Sequence, residues 1–168
     1  MFEFLKRVVK VTEKKGPVEL FAPVNGYVIP IGKVSDPVFA EKLIGDGYGV
    51  KPTDGKVYAP VSGTISSVFQ TKQTLGIRTP EGLEVMVHMG VNTAELKGSP
   101  FENHVQEGDK VTPETLLSTM DLRALKEAKK DNVVIVVITS MNRVKDYTIS
   151  HQGDSTAKEK IGKIELAR

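Results

Sequence analysis

Ala22-Pro23-Val24-Asn25-Gly26-Tyr27-Val28 returns further along the chain as Ala59-Pro60-Val61-Ser62-Gly63-Thr64-Ile65. In each copy a proline and a glycine bracket a short turn, and β-forming residues follow, so the phrase reads as strand, turn, strand. Its reuse points to one supersecondary unit present twice, with two related halves packed face to face. The surroundings have the same texture. Short β-type runs separated by Pro, Gly, Asn and Asp cover Glu19 to Phe21, Gly26 to Ile31, Gly47 to Lys51, Lys56 to Ala59, Gly63 to Gln70, Leu75 to Arg78 and Leu83 to Met89. Later runs are Leu116 to Met120, Val133 to Thr139 and Gly162 to Leu166. So many short strands predict an all-β fold, an antiparallel sandwich or barrel. Helix is minor. Asp36 to Leu43 and Asp121 to Lys130 carry helical spacing, the second opening on an aspartate placed to cap it.

The rest of the composition narrows the function classes. With 168 residues, 39% hydrophobic and 26% charged, the chain is long enough to bury a real core in one domain. A net charge of +2 is too small for a nucleic-acid footprint. The absence of cysteine removes disulfides, thiolate catalysis and thiolate metal sites, and fits a reducing compartment such as the cytoplasm. No apolar run approaches the roughly 20 residues of a membrane-spanning helix. Phe2, Leu5, Val8 and Val9 recur at helical spacing among Lys6, Arg7, Lys10, Lys14 and Lys15. That opening reads either as an amphipathic helix lying on an anionic membrane surface or as a frayed end. Gly16-Pro17 breaks the pattern, dividing residues 1–16, a basic segment, from residues 17–168, the folded domain.

Three histidines exist, and one has neighbours that suggest chemistry. His104 and His151 sit in polar, loop-like company, where a solvated ring is the default. His88 ends the apolar alternation Val85-Met86-Val87-His88-Met89. If Thr79-Pro80-Glu81-Gly82 closes a tight hairpin, His88 faces Gln73 across the ladder. Alternation then groups Phe69, Thr71, Gln73 and Leu75 with Met86 and His88, and sends Leu83, Val85 and Val87 to the core. A polar pair ringed by exposed Phe69, Leu75 and Met86 has the character of a protein-docking surface.

These residues carry a resemblance. Gly82-Leu83-Glu84-Val85-Met86-Val87-His88-Met89-Gly90-Val91-Asn92-Thr93-Ala94 resembles the active-site signature of the glucose-type enzyme IIA of the bacterial phosphoenolpyruvate-dependent sugar phosphotransferase system. The likeness continues through Asp36 to Gly47, Lys51-Pro52-Thr53, and Glu95 to Gly98 as far as Phe101. It runs from about residue 18 to the C-terminus. The resemblance implies an antiparallel β-sandwich with a duplicated hybrid motif, and a cytoplasmic phosphocarrier that needs no cofactor. It implies that His88 accepts a phosphoryl group from HPr and passes it to the IIB domain of a IIB/IIC sugar permease. Thr71 matches the active-site threonine, and Val38, Phe39, Leu43, Ile44, Phe69 and Met86 match the apolar docking surface. Regulated permeases and metabolic enzymes are further partners of such proteins.

Two positions depart from the pattern. Gln73 stands where the family has a second histidine, and Asn92 where it has an aspartate. Gln73 keeps an NH2 donor for phosphoryl oxygens but is never cationic. Acceptance then survives while onward transfer slows, and the alternative to a carrier is a relative that senses flux without transferring.

Other chemistries lack their parts. A zinc peptidase on this architecture needs two or three histidines and an aspartate converging on the metal, and the three histidines have unrelated contexts. Gln106-Glu107-Gly108-Asp109-Lys110-Val111 suggests a biotinyl or lipoyl carrier, but no lysine lies between two methionines. There is no Gly-x-Ser-x-Gly elbow for a serine hydrolase.

Overall fold

The computed structural model describes residues 13–168. Fourteen strands make up three antiparallel sheets: β1 (Val18–Phe21), β2 (Gly26–Pro30), β3 (Asp46–Pro52), β4 (Lys56–Tyr58), β5 (Gly63–Val68), β6 (Thr74–Arg78), β7 (Glu84–Met89), β8 (Phe101–Asn103), β9 (Lys110–Val111), β10 (Leu116–Met120), β11 (Val134–Ile138), β12 (Val144–Ile149), β13 (Gly153–Ser155) and β14 (Lys160–Leu166). The large sheet runs in the order β13-β2-β3-β11-β7-β6-β5-β9, and the two small ones are β1-β14-β12 and β4-β10-β8. Among the described residues two short helices, α1 (Pro37–Ala40) and α2 (Leu122–Glu127), and three single-turn 3-10 segments accompany the strands. Among the described residues no helix is long and apolar enough to cross a membrane.

The repeated phrase lies at the junction of the halves. Phe21 N–H donates to the Pro60 carbonyl at 2.9 Å, and Tyr58 N–H donates to the Pro23 carbonyl at 2.6 Å. Each bond is the other's counterpart under the repeat, so the two copies hold one another. Ala22, Val24, Ala59 and Val61 are all fully buried there. A Cβ on Gly26 would strike the Lys51 carbonyl oxygen, and one on Gly63 the Arg78 carbonyl oxygen. The glycine of the phrase is thus required in both copies by the same close approach of a neighbouring strand.

Between the sheets lies the main core, which includes Leu20, Val50, Val57, Ile77, Val85, Val87, Leu117 and Ile164. A second, smaller cluster sits on the outer face of the large sheet, where Ile29, Ile31, Val34 and Phe39 cover Val133, Ile135 and Val137. Strand β11 is therefore buried on both faces, which explains its uninterrupted apolar sequence. Gly49, on the same outer face, leaves no room for a side chain beneath Val34, whose Cγ1 would lie 2.9 Å from an added Cβ. This lets the covering segment settle onto the sheet.

The helices open as expected and close earlier. Asp36 Oδ1 accepts from Val38 N–H at 2.9 Å, and Asp121 Oδ1 from Ala124 N–H at 2.9 Å. Helix α1 ends at Ala40, not Leu43, because Lys42 turns left-handed at φ 60°. Lys42 N–H then bonds the Phe39 carbonyl and Leu43 N–H the Val38 carbonyl, the paired bonds of a Schellman stop. Helix α2 stops the same way, with Lys129 left-handed at φ 58° and Lys130 N–H on the Leu125 carbonyl. Strands β8, β9, β12 and β13 were not expected. They are short, or polar like β12 with its pattern Val-Lys-Asp-Tyr-Thr-Ile on a sheet edge.

The expected basic helix at the start of the chain falls largely on residues 1–12, outside the described residues. Glu13 to Lys15 have no regular structure. Lys14 N–H donates to the Pro80 carbonyl at 2.8 Å and Glu13 pairs with Arg143 at 3.1 Å.

Candidate functional site

The hairpin β6-β7 sets the site. Thr79 N–H donates to the Leu83 carbonyl and Gly82 N–H to the Thr79 carbonyl, both at 2.9 Å. Three residues, Pro80, Glu81 and Gly82, therefore form the loop, with Gly82 left-handed at φ 88°. A type I turn completed by a left-handed glycine is the usual three-residue hairpin connection. The two-residue turn assumed from sequence moves the register by one position, and a one-residue slip exchanges the faces. His88 consequently lies opposite Thr74, not Gln73, and Leu75 lies opposite Val87. Leu75 is fully buried in the main core and takes no part in the rim around His88.

Strand β7 alternates as its sequence implies, with Val85, Val87 and Met89 inward and Glu84, Met86 and His88 on the half-buried outer face. Across the sheet His88 has Thr74 on β6 at one side and Ile135 on β11 at the other. Thr74 Oγ1 stands 2.9 Å from His88 Nδ1. The Phe39 ring from α1 packs on the imidazole, centroids 4.9 Å apart and planes tilted by 45°. Thr74, Phe39 and Ile135 thus enclose the ring from three sides. With Nδ1 turned to Thr74, Nε2 is the nitrogen left without a partner among the described residues.

Burial pushes the His88 pKa below its ordinary value by disfavouring the charged ring, and the nearby Asp36 carboxylate opposes this shift. The ring is neutral at pH 7 and keeps a nucleophilic lone pair. Among the described residues no three His, Asp or Glu side chains are grouped to hold a metal ion. His104 bonds Thr119 Oγ1 at 2.8 Å and His151 the Asp154 carbonyl at 2.7 Å, each on other strands and loops of the fold.

The remaining residues singled out from sequence are distributed unevenly. Val38, Leu43 and Phe69 are exposed, at 45%, 70% and 48%. The Schellman stop of α1 makes Val38 and Leu43 neighbours. Ile44 and Met86 are half-buried against the outer cluster. Phe69, Thr74 and Met86 share a shallow cleft of about 120 Å³ with Ser66, Ser67 and Glu84. Phe39, expected in the docking rim, is instead buried and serves as the wall behind His88. Thr71 is half-buried in the turn before β6, and Asn92 is exposed. Asn92 has φ 57°, a left-handed conformation that asparagine tolerates better than most residues, which is a backbone reason for its presence. Gln73 is buried, and its Oε1 has no hydrogen-bond partner among the described residues. The ring's bond comes from Thr74, the residue that the sequence reading missed. Its signal was the register alone.

Comparison with known proteins identifies the family and the fold. The family described as phosphoenolpyruvate-dependent sugar phosphotransferase system, EIIA 1, matches residues 18–144. A protein of Streptococcus pneumoniae named PTS system glucose-specific EIICBA component is 43% identical over 148 residues, 88% of this chain and 20% of that protein. The chain therefore spans a fifth of that relative's length. The PTS system glucose-specific EIIA component of Halalkalibacterium halodurans is 44% identical over 125 residues, covering 74% of this chain and 72% of its own. The solved structure of glucose permease IIA from Mycoplasma capricolum superposes with a TM-score of 0.81 at 30% identity, over 89% of this chain and 96% of that one. None of these relatives supports the flux-sensing alternative suggested by Gln73.

Proposed function

Since the chain belongs to the EIIA 1 family of the phosphoenolpyruvate-dependent sugar phosphotransferase system and is thereby a phosphotransferase component, we propose that His88 carries the phosphoryl group, received from HPr and delivered to the IIB domain of a sugar permease. The observation that supports this is a single imidazole, neutral at pH 7, held at the rim of an exposed apolar patch. Phosphoryl transfer between two imidazoles needs alignment and donors for the equatorial oxygens, and little covalent help from the protein. The apolar rim of Val38, Leu43 and Phe69 supplies the alignment by docking a partner over the ring and excluding water. Gln73, the neighbour of Thr74 in sequence, is proposed as a donor for the phosphoryl oxygens from the family resemblance alone. The names of the relatives point to glucose as the sugar and, in the pneumococcal case, to C and B components joined to A.

Incubation with phosphoenolpyruvate, enzyme I and HPr tests the reading. One acid-labile phosphoryl group per chain is expected, with transfer to an added IIB domain. Labelling of His88→Ala at the wild-type rate would refute it.

A further inference from the structure

Resting on that carrier reading, we infer that Thr74 is a positioning residue that fixes the tautomer of His88, its hydroxyl accepting from Nδ1–H so that the lone pair of Nε2 faces the incoming phosphoryl group. Thr74 is 2% exposed, which shields its bond to the ring from competition by bulk water, and Oγ1 lies 2.9 Å from Nδ1. The two residues are direct cross-strand partners, which fixes this distance by the register of β6 and β7 and not by a mobile loop. In a neutral imidazole one nitrogen carries the proton and the other the lone pair, and the bond made by one decides the state of the other.

A hydroxyl bonds either way, and the two directions have opposite consequences. Donation from Thr74 to Nδ1 would place the ring proton on Nε2 and remove the only lone pair a partner could reach. Acceptance from Nδ1–H leaves Nε2 free. Transfer is then balanced without moving a ring proton: the donor's N–P bond breaks with its electron pair returning to the donor imidazole, and the Nε2 lone pair forms the new N–P bond. Nδ1 keeps its proton throughout. The phosphorylated ring is the stronger donor, so the bond to Thr74 strengthens as the phosphoryl group arrives and relaxes when it leaves. Thr71, the threonine matched to the family signature, makes no such bond to the ring.

The ring nitrogens of His88 in the full chain, labelled with 15N, report the tautomer by NMR without any phosphoryl donor. We expect a pyrrole-type Nδ1 and a pyridine-type Nε2 in the wild type. Thr74→Val keeps the β-branched shape and removes the hydroxyl; it should mix or invert the tautomers and slow acceptance from phosphorylated HPr at least tenfold. Thr74→Ser should restore both, and Thr74→Ala supplies a second hydroxyl-free variant if valine packs badly. A proton on Nε2 in the wild type overturns the inference. So does slower acceptance in Thr74→Val with unchanged ring shifts, since the threonine would then only pack. A wild-type chain that takes no label on His88 fails the carrier reading instead, and the tautomer measurement separates the two.

Discussion

Phe39 and His88 meet ring against ring, centroids 4.9 Å apart, although one belongs to a single-turn helix and the other to a central strand. The Asp36 cap and the left-handed Lys42 confine α1 to one turn, and that turn delivers Phe39 into the outer cluster at 5% exposure. Deleting a buried phenylalanine leaves a cavity and costs about 3 to 5 kcal/mol. Phe39→Ala should lose about 3 kcal/mol in urea unfolding and slow phosphoryl acceptance, because the imidazole gains freedom to rotate. Phe39→Leu should recover most of the stability. Wild-type stability of Phe39→Ala would mean that the outer cluster does not hold the site.

Phe69 differs in being half in solvent, with its backbone fixed by the bond from Phe69 N–H to the Thr74 carbonyl at 3.0 Å. A charge placed there meets water in the free protein and an apolar surface in the complex. Phe69→Asp should weaken HPr binding by about 1 to 4 kcal/mol, the range for central interface positions. Its melting temperature should stay near wild type. Calorimetric titration showing unchanged affinity would move the docking face away from this rim.

The pH dependence of stability follows from the depressed pKa of His88. Burial lowers the folded value, so between it and the ordinary value of about 6.5 the unfolded chain binds more protons. Stability is therefore fully present above about pH 6.5 and lost as pH falls through the folded pKa. The difference between wild type and His88→Gln, taken across that range, isolates this loss from carboxylate titration. Asp36→Asn removes the opposing charge and should lower the His88 midpoint further, as followed by NMR. A midpoint that rises in Asp36→Asn would contradict the assigned cause.

The legible and illegible parts of this chain divide along physical lines. Strand β7 could be read because Val85, Val87 and Met89 alternate with Met86 and His88, and burial enforces that alternation. The two copies of Ala-Pro-Val-x-Gly gave the duplication because each glycine is demanded by a backbone contact. Helix ends were overrun because lysine, not glycine, takes the left-handed stop at Lys42 and Lys129, which propensity does not signal. Strand β12 was invisible because an edge position imposes no apolar pattern. His88 stood out by its neighbours, and its hydrogen-bond partner was missed for one reason: Thr-Pro-Glu-Gly does not declare whether its loop has two residues or three. That single choice exchanged Gln73 for Thr74.

Gln73 itself now has two separable properties. Its Oε1 is buried without a partner among the described residues, which costs about 1 to 3 kcal/mol relative to a satisfied group. Its amide NH2 is the donor proposed for phosphoryl oxygens. Gln73→Met keeps the length of the side chain and removes both. If the orphaned oxygen carries its full penalty, the variant should be more stable by about 1 kcal/mol in urea unfolding. If the amide donates in the transition state, acceptance from phosphorylated HPr should slow at least tenfold, about 1.4 kcal/mol in barrier. Gln73→His restores a donor and should recover the rate. A Gln73→Met chain that is more stable and accepts phosphoryl at the wild-type rate would remove Gln73 from the site and leave Thr74 as the polar residue of this hairpin that acts on His88.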